Sequence, residues 1–326
     1  MNVIQLVPAS QAHSLRIEDN MATDHGAPTS NHTWTTAPTK YVRAGDVNVA
    51  YRELGPRGGV PVVFLHHFAA VLDDWDPRLI DGIAAHHHVI TFDNRGVGAT
   101  DSTVPADLEQ MGRDAATFVR ALGHDSVDLL GFSLGGGVAQ MLALQNPALV
   151  RRMVLAGTGP RGGGGIDSMG RIVGLAYLKA ALARKDARHF LFFPRTEEGK
   201  RAAHSYFARL AERVVDRDKP ISMQARLAQL RAIIAGGKAA PDDLSRITVP
   251  VFVANGDNDL MVASAHSADL ARRLPNSQLT IYPRSGHGGI FQYHREFVPA
   301  VLAFLGETLS ATASSSATTT KTGGQS

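Results

Sequence analysis

Short apolar runs, each followed by a turn signal, alternate along this chain with stretches in which apolar residues recur three and four positions apart. The runs predict strands over Val47–Leu54, Pro61–His66, His88–Asp93, Val127–Phe132, Arg152–Gly157, Val249–Asn255 and Gln278–Pro283. The spaced pattern predicts helices. Leu108, Met111, Ala115, Phe118, Val119 and Leu122 share one face of a segment that starts at Asp107, with Gly123 as its stop, and Val298, Val301, Leu302 and Leu305 share a face near the end of the chain. Strand and helix in alternation are the signature of an α/β fold built on a doubly wound, mostly parallel sheet. The alternation ceases between Arg161 and Pro241, where Ala/Leu/Arg-rich stretches predict several consecutive helices with no strand between them.

One junction in this pattern carries chemistry. The apolar run Val127–Leu130 leads into Gly131-Phe132-Ser133-Leu134-Gly135, after which Val138, Met141, Leu142 and Gln145 fall at helical spacing until Pro147 closes the helix. A serine flanked by glycines where a strand turns sharply into a helix is a nucleophile elbow, because the turn strains the backbone and glycine alone permits the close approach around it. A serine hydroxyl is a weak nucleophile at neutral pH, so it needs a histidine base, and the histidine needs an acid to orient it and stabilise its cation. Two downstream segments offer these in the order acid, histidine. Asn255-Gly256-Asp257-Asn258-Asp259 follows a predicted strand at its carboxyl end, where open α/β sheets build their sites. Ser285-Gly286-His287-Gly288-Gly289 follows the last strand and precedes the final helix. The spacing leaves both Asp257 and Asp259 open as the acid.

Together these segments resemble the α/β-hydrolase family over roughly Lys40 to Thr308. The resemblance implies a catalytic set of Ser133, Asp259 and His287. The acid is placed at Asp259 by similarity to the family's Gly-x-x-Asp loop, with Asp257 as runner-up, and the earlier acid position used by some members is here Gly157-Thr158-Gly159, without a carboxylate. The backbone N–H groups of Leu134 and Phe68 are implied as the oxyanion hole. At the second of these the family usually shows His-Gly-x, whereas this chain reads His66-His67-Phe68, so a side chain stands where the backbone is normally bare. Asp93-Asn94-Arg95-Gly96-Val97-Gly98 resembles the family's Asp-x-Arg-Gly-x-Gly turn, a structural role in which Arg95 would bond backbone carbonyls. The implied organisation is a core over 39–160 and 244–309 with a helical cap inserted at 161–243, and Gly162–Gly165 form a hinge or plain linker at its start.

The implied function is a serine hydrolase cleaving an ester-like bond of a small molecule through an acyl-enzyme, with no cofactor and no metal. The serine disfavours the aspartate-dependent dehalogenase and epoxide-hydrolase branches. The Phe-Ser-Leu-Gly-Gly elbow and Phe68 also look like the cofactor-free haloperoxidases, which form peracids when peroxide replaces water. Lactonases and carbon–carbon bond hydrolases use the same triad, and a non-catalytic small-ligand binder is the alternative outside enzymes.

Composition narrows this picture further. There is no cysteine, which excludes disulfides, thiol catalysis and cysteine-ligated metal centres. Neither a membrane-spanning run nor a nucleic-acid motif is visible, and residues 1–10 lack the basic start and apolar core of a secretory signal, so the expectation is a cytoplasmic protein with a small-molecule partner. Residues 1–38, within which Met21 offers a second start, and 310–326 have compositions that predict disorder. The net charge of +3 is unevenly spread: residues 161–243 hold 16 Lys and Arg against 9 Asp and Glu. A solvated helical face is the first reading of that excess, and attraction of anionic substrates the second. The run His86-His87-His88 does not converge on a metal, since adjacent side chains point apart. Trp75 is expected to anchor its loop by packing, and Phe190, Phe192 and Phe193 to pack in the cap or line an acyl pocket.

Overall fold

The computed structural model describes residues 3–6, 32–163 and 169–306. Nine strands, β1 (Val3–Leu6), β2 (Lys40–Ala44), β3 (Val47–Leu54), β4 (Val62–Leu65), β5 (Val89–Phe92), β6 (Val127–Phe132), β7 (Val150–Ala156), β8 (Val251–Gly256) and β9 (Ser277–Tyr282), form one sheet. Their order is β1-β9-β8-β7-β6-β4-β5-β3-β2, and only β3 runs against the rest. Helices α1 (Pro77–Ala84), α2 (Leu108–Ala121), α3 (Leu134–Gln145), α8 (Ser264–Arg273), α9 (Gly289–Gln292) and α10 (His294–Gly306) flank it, and α4 (Met169–Ala183), α5 (Arg188–Leu191), α6 (Glu197–Leu210) and α7 (Met223–Lys238) lie between β7 and β8. Among the described residues no helix is long and apolar enough to cross a membrane.

The interior strands read as unbroken apolar runs because both faces of a parallel sheet are covered. Every residue of β4, β5, β6 and β8 is buried. The helices follow their amphipathic patterns, and Asp107 caps α2 by accepting the Gln110 N–H at 2.7 Å. All seven predicted strands are present. The two that the pattern did not predict are the outermost strands. β2 mixes exposed and buried positions in a short hairpin with β3, and its Lys-Tyr-Val-Arg-Ala sequence shows no apolar run.

The N-terminal arm, predicted to lack structure, departs from that expectation at two places. Val3–Leu6 adds a parallel strand to the open edge of β9, using a short β-branched segment that composition averages away. Trp34, only 1% exposed, is packed beneath the Arg52 guanidinium; its N–H donates to Asp81 and its carbonyl accepts from Arg213 at 2.7 Å. A single buried tryptophan leaves no periodicity to read. Residues 7–31, which include Met21, the Gly164–Gly165 part of the glycine cluster, and the tail 310–326 lie outside the described residues.

Helices α4–α7, the segment read from the sequence as a cap, meet the rest of the fold through charge as well as through apolar packing. The loop before α1 carries Asp73, Asp74 and Asp76, and each takes an arginine from the cap. Asp73 accepts from Arg217 at 2.6 Å and from Arg52 of β3 at 2.8 Å, and lies 3.4 Å from Arg213. Asp74 pairs with Arg188, and Asp76 with Arg209 at 2.6 Å. The first reading of the basic excess, a solvated face, fails for Arg188, Arg209 and Arg213, which are largely withdrawn from solvent against carboxylates of the core, whereas Arg217 pairs with Asp73 and stays exposed. A second contact joins two acids: the Leu72 N–H is shared between Asp93 Oδ1 at 3.0 Å and Asp218 Oδ2 at 3.1 Å. Burial, followed by the Asp218 charge, pushes the Asp93 carboxyl well above the usual carboxylate range.

Two expected outcomes follow from these contacts. A Cβ on Gly135 would stand 2.0 Å from the Leu65 carbonyl oxygen, whereas one on Gly137 would meet only the Leu108 side chain at 3.3 Å. Gly135→Ala is therefore expected to cost at least about 3 kcal/mol in chemical denaturation, and Gly137→Ala no more than about 1 kcal/mol. Because Asp93 holds its proton in the folded state more tightly than in the unfolded chain, its contribution to stability is complete below the ordinary carboxylate range and is lost as pH rises through the raised value. Replacing Asp218 with Asn removes the neighbouring charge. The melting temperature of that variant relative to wild type should thus climb between pH 4.5 and pH 8.5, by on the order of 2 °C, the change per kcal/mol for a domain of this size. A difference that stays flat with pH would show that the two acids do not interact.

Candidate active site

Ser133 sits between the last residue of β6 and the first of α3, with φ 55° and ψ −115°. That conformation is rare for a residue with a side chain, and two glycines make room for it. A Cβ on Gly131 would meet the Gly135 carbonyl oxygen at 2.5 Å, and Gly135 itself lies against the carbonyl of Leu65. The Ser133 N–H is fixed to the Ala156 carbonyl of β7 at 2.9 Å. Its hydroxyl makes no capping bond to α3, so the oxygen is left to the cavity beside it.

The loops after β8 and β9 bring Asp259 and His287 together. His287 Nδ1 donates to Asp259 Oδ2 at 2.7 Å, and neither side chain has any exposure. The other carboxylate oxygen of Asp259 accepts the N–H groups of Met261 at 2.7 Å and Val262 at 2.9 Å. With its acceptor sites filled in this way, the carboxylate is held in one orientation and fixes the histidine tautomer that leaves Nε2 as an acceptor. Asp257, the runner-up, is exposed and turned elsewhere, accepting from Asn258 Nδ2 and the Ser285 N–H. The His287 ring lies against Phe132 at 5.0 Å and Phe192 at 5.4 Å between centroids. Its Nε2 has no protein partner among the described residues. Ser133 and His287 border the same cavity, and no hydrogen bond joins them.

His67, the departure from glycine in the loop after β4, turns out to fit without a left-handed backbone: the positive φ in this loop belongs to Ala69, at 63°. The His67 ring enters the aromatic cluster, edge-on to Phe132 and Phe192, and its Nδ1 donates to the Phe68 carbonyl at 2.9 Å. Burial lowers its pKa to about 4, so the ring is neutral at physiological pH. Gln229 of α7, fully buried, accepts the N–H of the strained Ala69 at 2.8 Å and so ties the cap to the residue after Phe68. No sequence pattern singles out Gln229. Phe68 lines the same cavity as His287, and Leu134 is the first residue of α3, where an N–H has no acceptor inside the helix.

Ser133 stands between two chambers. One, about 630 Å³, lies under the cap and is bounded by charged residues as well as by Phe68, Phe192 and Tyr177. The other, about 60 Å³, is apolar and lies towards α3, between Leu134, Met141, Ile233 and Val262. Met261 borders both. Of the cap phenylalanines, Phe192 and Phe193 are buried and Phe190 is partly so; Phe192 alone reaches the larger chamber.

The remaining sequence candidates are structural. Arg95 was expected to bond backbone carbonyls, yet it bridges the carboxylates of Asp46 at 2.6 Å and Asp114 at 3.2 Å, because both face it across the turn. Trp75 is wholly buried, edge-on to Phe64 and beside His66. His88 is tied to Glu53 at 2.7 Å, which holds the Glu53 carboxyl down at about 2. Among the described residues no cluster of His, Asp and Glu is arranged to hold a metal ion.

Comparisons with known proteins agree with this architecture. The sequence pattern of the α/β-hydrolase fold matches residues 60–292. The non-heme chloroperoxidase of Streptomyces lividans is 30% identical over 273 residues, 79% of this chain and 96% of its own length. The non-heme haloperoxidase of Rhodococcus erythropolis is 28% identical over 267 residues, 76% of this chain and 92% of its own. Among solved structures, an α/β-hydrolase fold protein from Chitinophaga pinensis superimposes with a TM-score of 0.81 at 34% identity, covering 85% of this chain and all of that one. With the sheet order, the elbow and these likenesses in agreement, the chain belongs to the α/β-hydrolase family.

Proposed function

We propose that this protein is a serine hydrolase that cleaves an ester-like bond of a small molecule through an acyl-enzyme. The observation that carries the reading is the wholly buried His287–Asp259 pair, whose free Nε2 borders the same cavity as the Ser133 hydroxyl. In this reading Ser133 Oγ attacks the substrate carbonyl while His287 Nε2 takes its proton. Asp259 stabilises the imidazolium that results, and His287 then returns the proton to the leaving alcohol. The N–H groups of Leu134 and Phe68 meet the negative charge that develops on the carbonyl oxygen. Water, deprotonated by His287, releases the acid and restores the serine. The Ser133–His287 hydrogen bond closes when substrate fills the cavity, as catalytic hydrogen bonds commonly do.

The names of the relatives from Streptomyces lividans and Rhodococcus erythropolis favour a second reading of the same site. Hydrogen peroxide in place of water would attack the acyl-enzyme and release a peracid, with the same proton transfers through His287. Neither reading needs a cofactor.

Fluorophosphonate labelling and hydrolysis of p-nitrophenyl esters test the first reading. Ser133→Ala is expected to lose labelling and at least about 10³-fold in kcat, and Asp259→Asn about 10⁴-fold through the wrong histidine tautomer. A folded Ser133→Ala protein with full ester turnover would sink the assignment. Folded wild type that neither labels nor turns over any ester would point to a ligand binder. For the second reading, acetate and hydrogen peroxide are supplied together and peracetic acid is measured. Formation that disappears in Ser133→Ala supports perhydrolysis at this site, and formation that survives the substitution removes it.

A further inference from the structure

The charged side chains around the larger chamber are not all paired. Four carboxylates border it: Asp73 is met by Arg52, Arg213 and Arg217, Asp74 and Asp186 share Arg188, and Asp218 accepts the backbone N–H groups of Leu72 and Lys219. Among the cations, Arg188 and Arg217 are consumed in those pairs. Arg226 of α7 is not. Its guanidinium lies over the Tyr177 ring of α4, 5.1 Å from the centroid, and among the described residues no carboxylate comes within ion-pair distance of it. Its Nε is buried without a hydrogen-bond partner. Lys185, which borders the same chamber from the exposed side, likewise makes no ion pair among the described residues.

An arginine stacked on an aromatic ring is held in plane while its N–H edges remain available, the arrangement that suits a carboxylate or phosphate. A charged group that borders a cavity and finds no counter-charge in the protein is stabilised by a counter-charge in what binds there. The second chamber sets the other end of the ligand. At about 60 Å³ and apolar, it admits only a short alkyl group beside Ser133.

We infer that the substrate is an anionic ester, with one short apolar arm in the chamber towards α3 and one longer arm ending in a carboxylate that Arg226 binds under the cap, Lys185 adding long-range attraction. This rests on the serine-hydrolase reading for the identity of the bond and extends it to the class of substrate. It also gives a role to two of the segment's basic residues that docking against the core does not use.

The test compares two pairs of near-isosteric esters on the full-length protein. p-Nitrophenyl hemiglutarate against p-nitrophenyl valerate places the charge on the acyl arm, and 4-acetoxybenzoate against 4-acetoxytoluene places it on the alcohol arm. In at least one pair kcat/KM is expected to favour the charged member by about tenfold or more at low salt, the worth of one charge-assisted contact. That ratio should fall about tenfold in Arg226→Gln, be partly kept in Arg226→Lys, and shrink as salt is added. A ratio at or below one in both pairs, or a ratio that Arg226→Gln leaves unchanged, overturns the inference. Should no ester turn over, the hydrolase reading fails instead, and calorimetry on Ser133→Ala still reads the anion site. Binding of monomethyl glutarate in preference to methyl valerate, lost with Arg226→Gln, upholds the site; equal binding of the two removes it.

Discussion

The architecture turns on the absence of two side chains. At Gly131 and Gly135 the backbones of β6, α3 and β4 approach so closely that any Cβ would collide with a carbonyl oxygen. Only with that contact made can the chain reverse from strand to helix within one residue, and the residue at the reversal is Ser133, in a strained left-handed conformation. Strain of this kind costs about 1–3 kcal/mol and persists where surrounding structure over-determines it. Here β6 supplies that support, buried along its whole length between β4 and β7. The same contact places the first N–H groups of α3 next to the loop that follows β4. The position of Ser133 and that of the first N–H groups of α3 are thus consequences of one packing constraint.

Helices α4–α7 are attached by a different kind of force. Their arginines meet a run of aspartates in the loop before α1, and the buried Arg52 and Trp34 extend this network to the sheet edge and to the N-terminal segment. Buried ion pairs add little net stability, but they strongly penalise arrangements in which one partner is left alone. A cap docked in this way is held in one register over the site. Gln229 makes that register matter to the loop after β4, since α7 holds the backbone of Ala69 one residue beyond Phe68.

Around His287 the environment is aromatic and the neighbouring His67 is neutral. Burial drives the pKa of His67 down to about 4, because it withdraws the ring from the water that would stabilise a charge. A second cation beside His287 would oppose formation of the imidazolium that the proposed mechanism requires. His67 therefore replaces the family's glycine at little electrostatic cost, its ring packed among Phe132 and Phe192 and its Nδ1 turned back to its own loop.

Local pattern by itself determined the interior strands, the elbow at Ser133, and the segments that carry Asp259 and His287. Buried parallel strands are continuous apolar runs, and a strand-to-helix reversal must be written with glycines, so both leave marks in a short window. What only the tertiary structure decided depends on groups far apart in the chain. Spacing alone left Asp257 and Asp259 open, and the structure separates them by turning one towards His287 and the other towards Ser285. Arg95 meets carboxylates where carbonyls were expected, Trp34 is buried in a segment with no periodicity, and β1 forms because β9 offers it an unpaired edge. The cap's positive charge could be counted in the sequence. Which arginines dock it and which one is left facing the chamber followed only from the fold, because pairing depends on distance in space, and distance along the chain does not encode it.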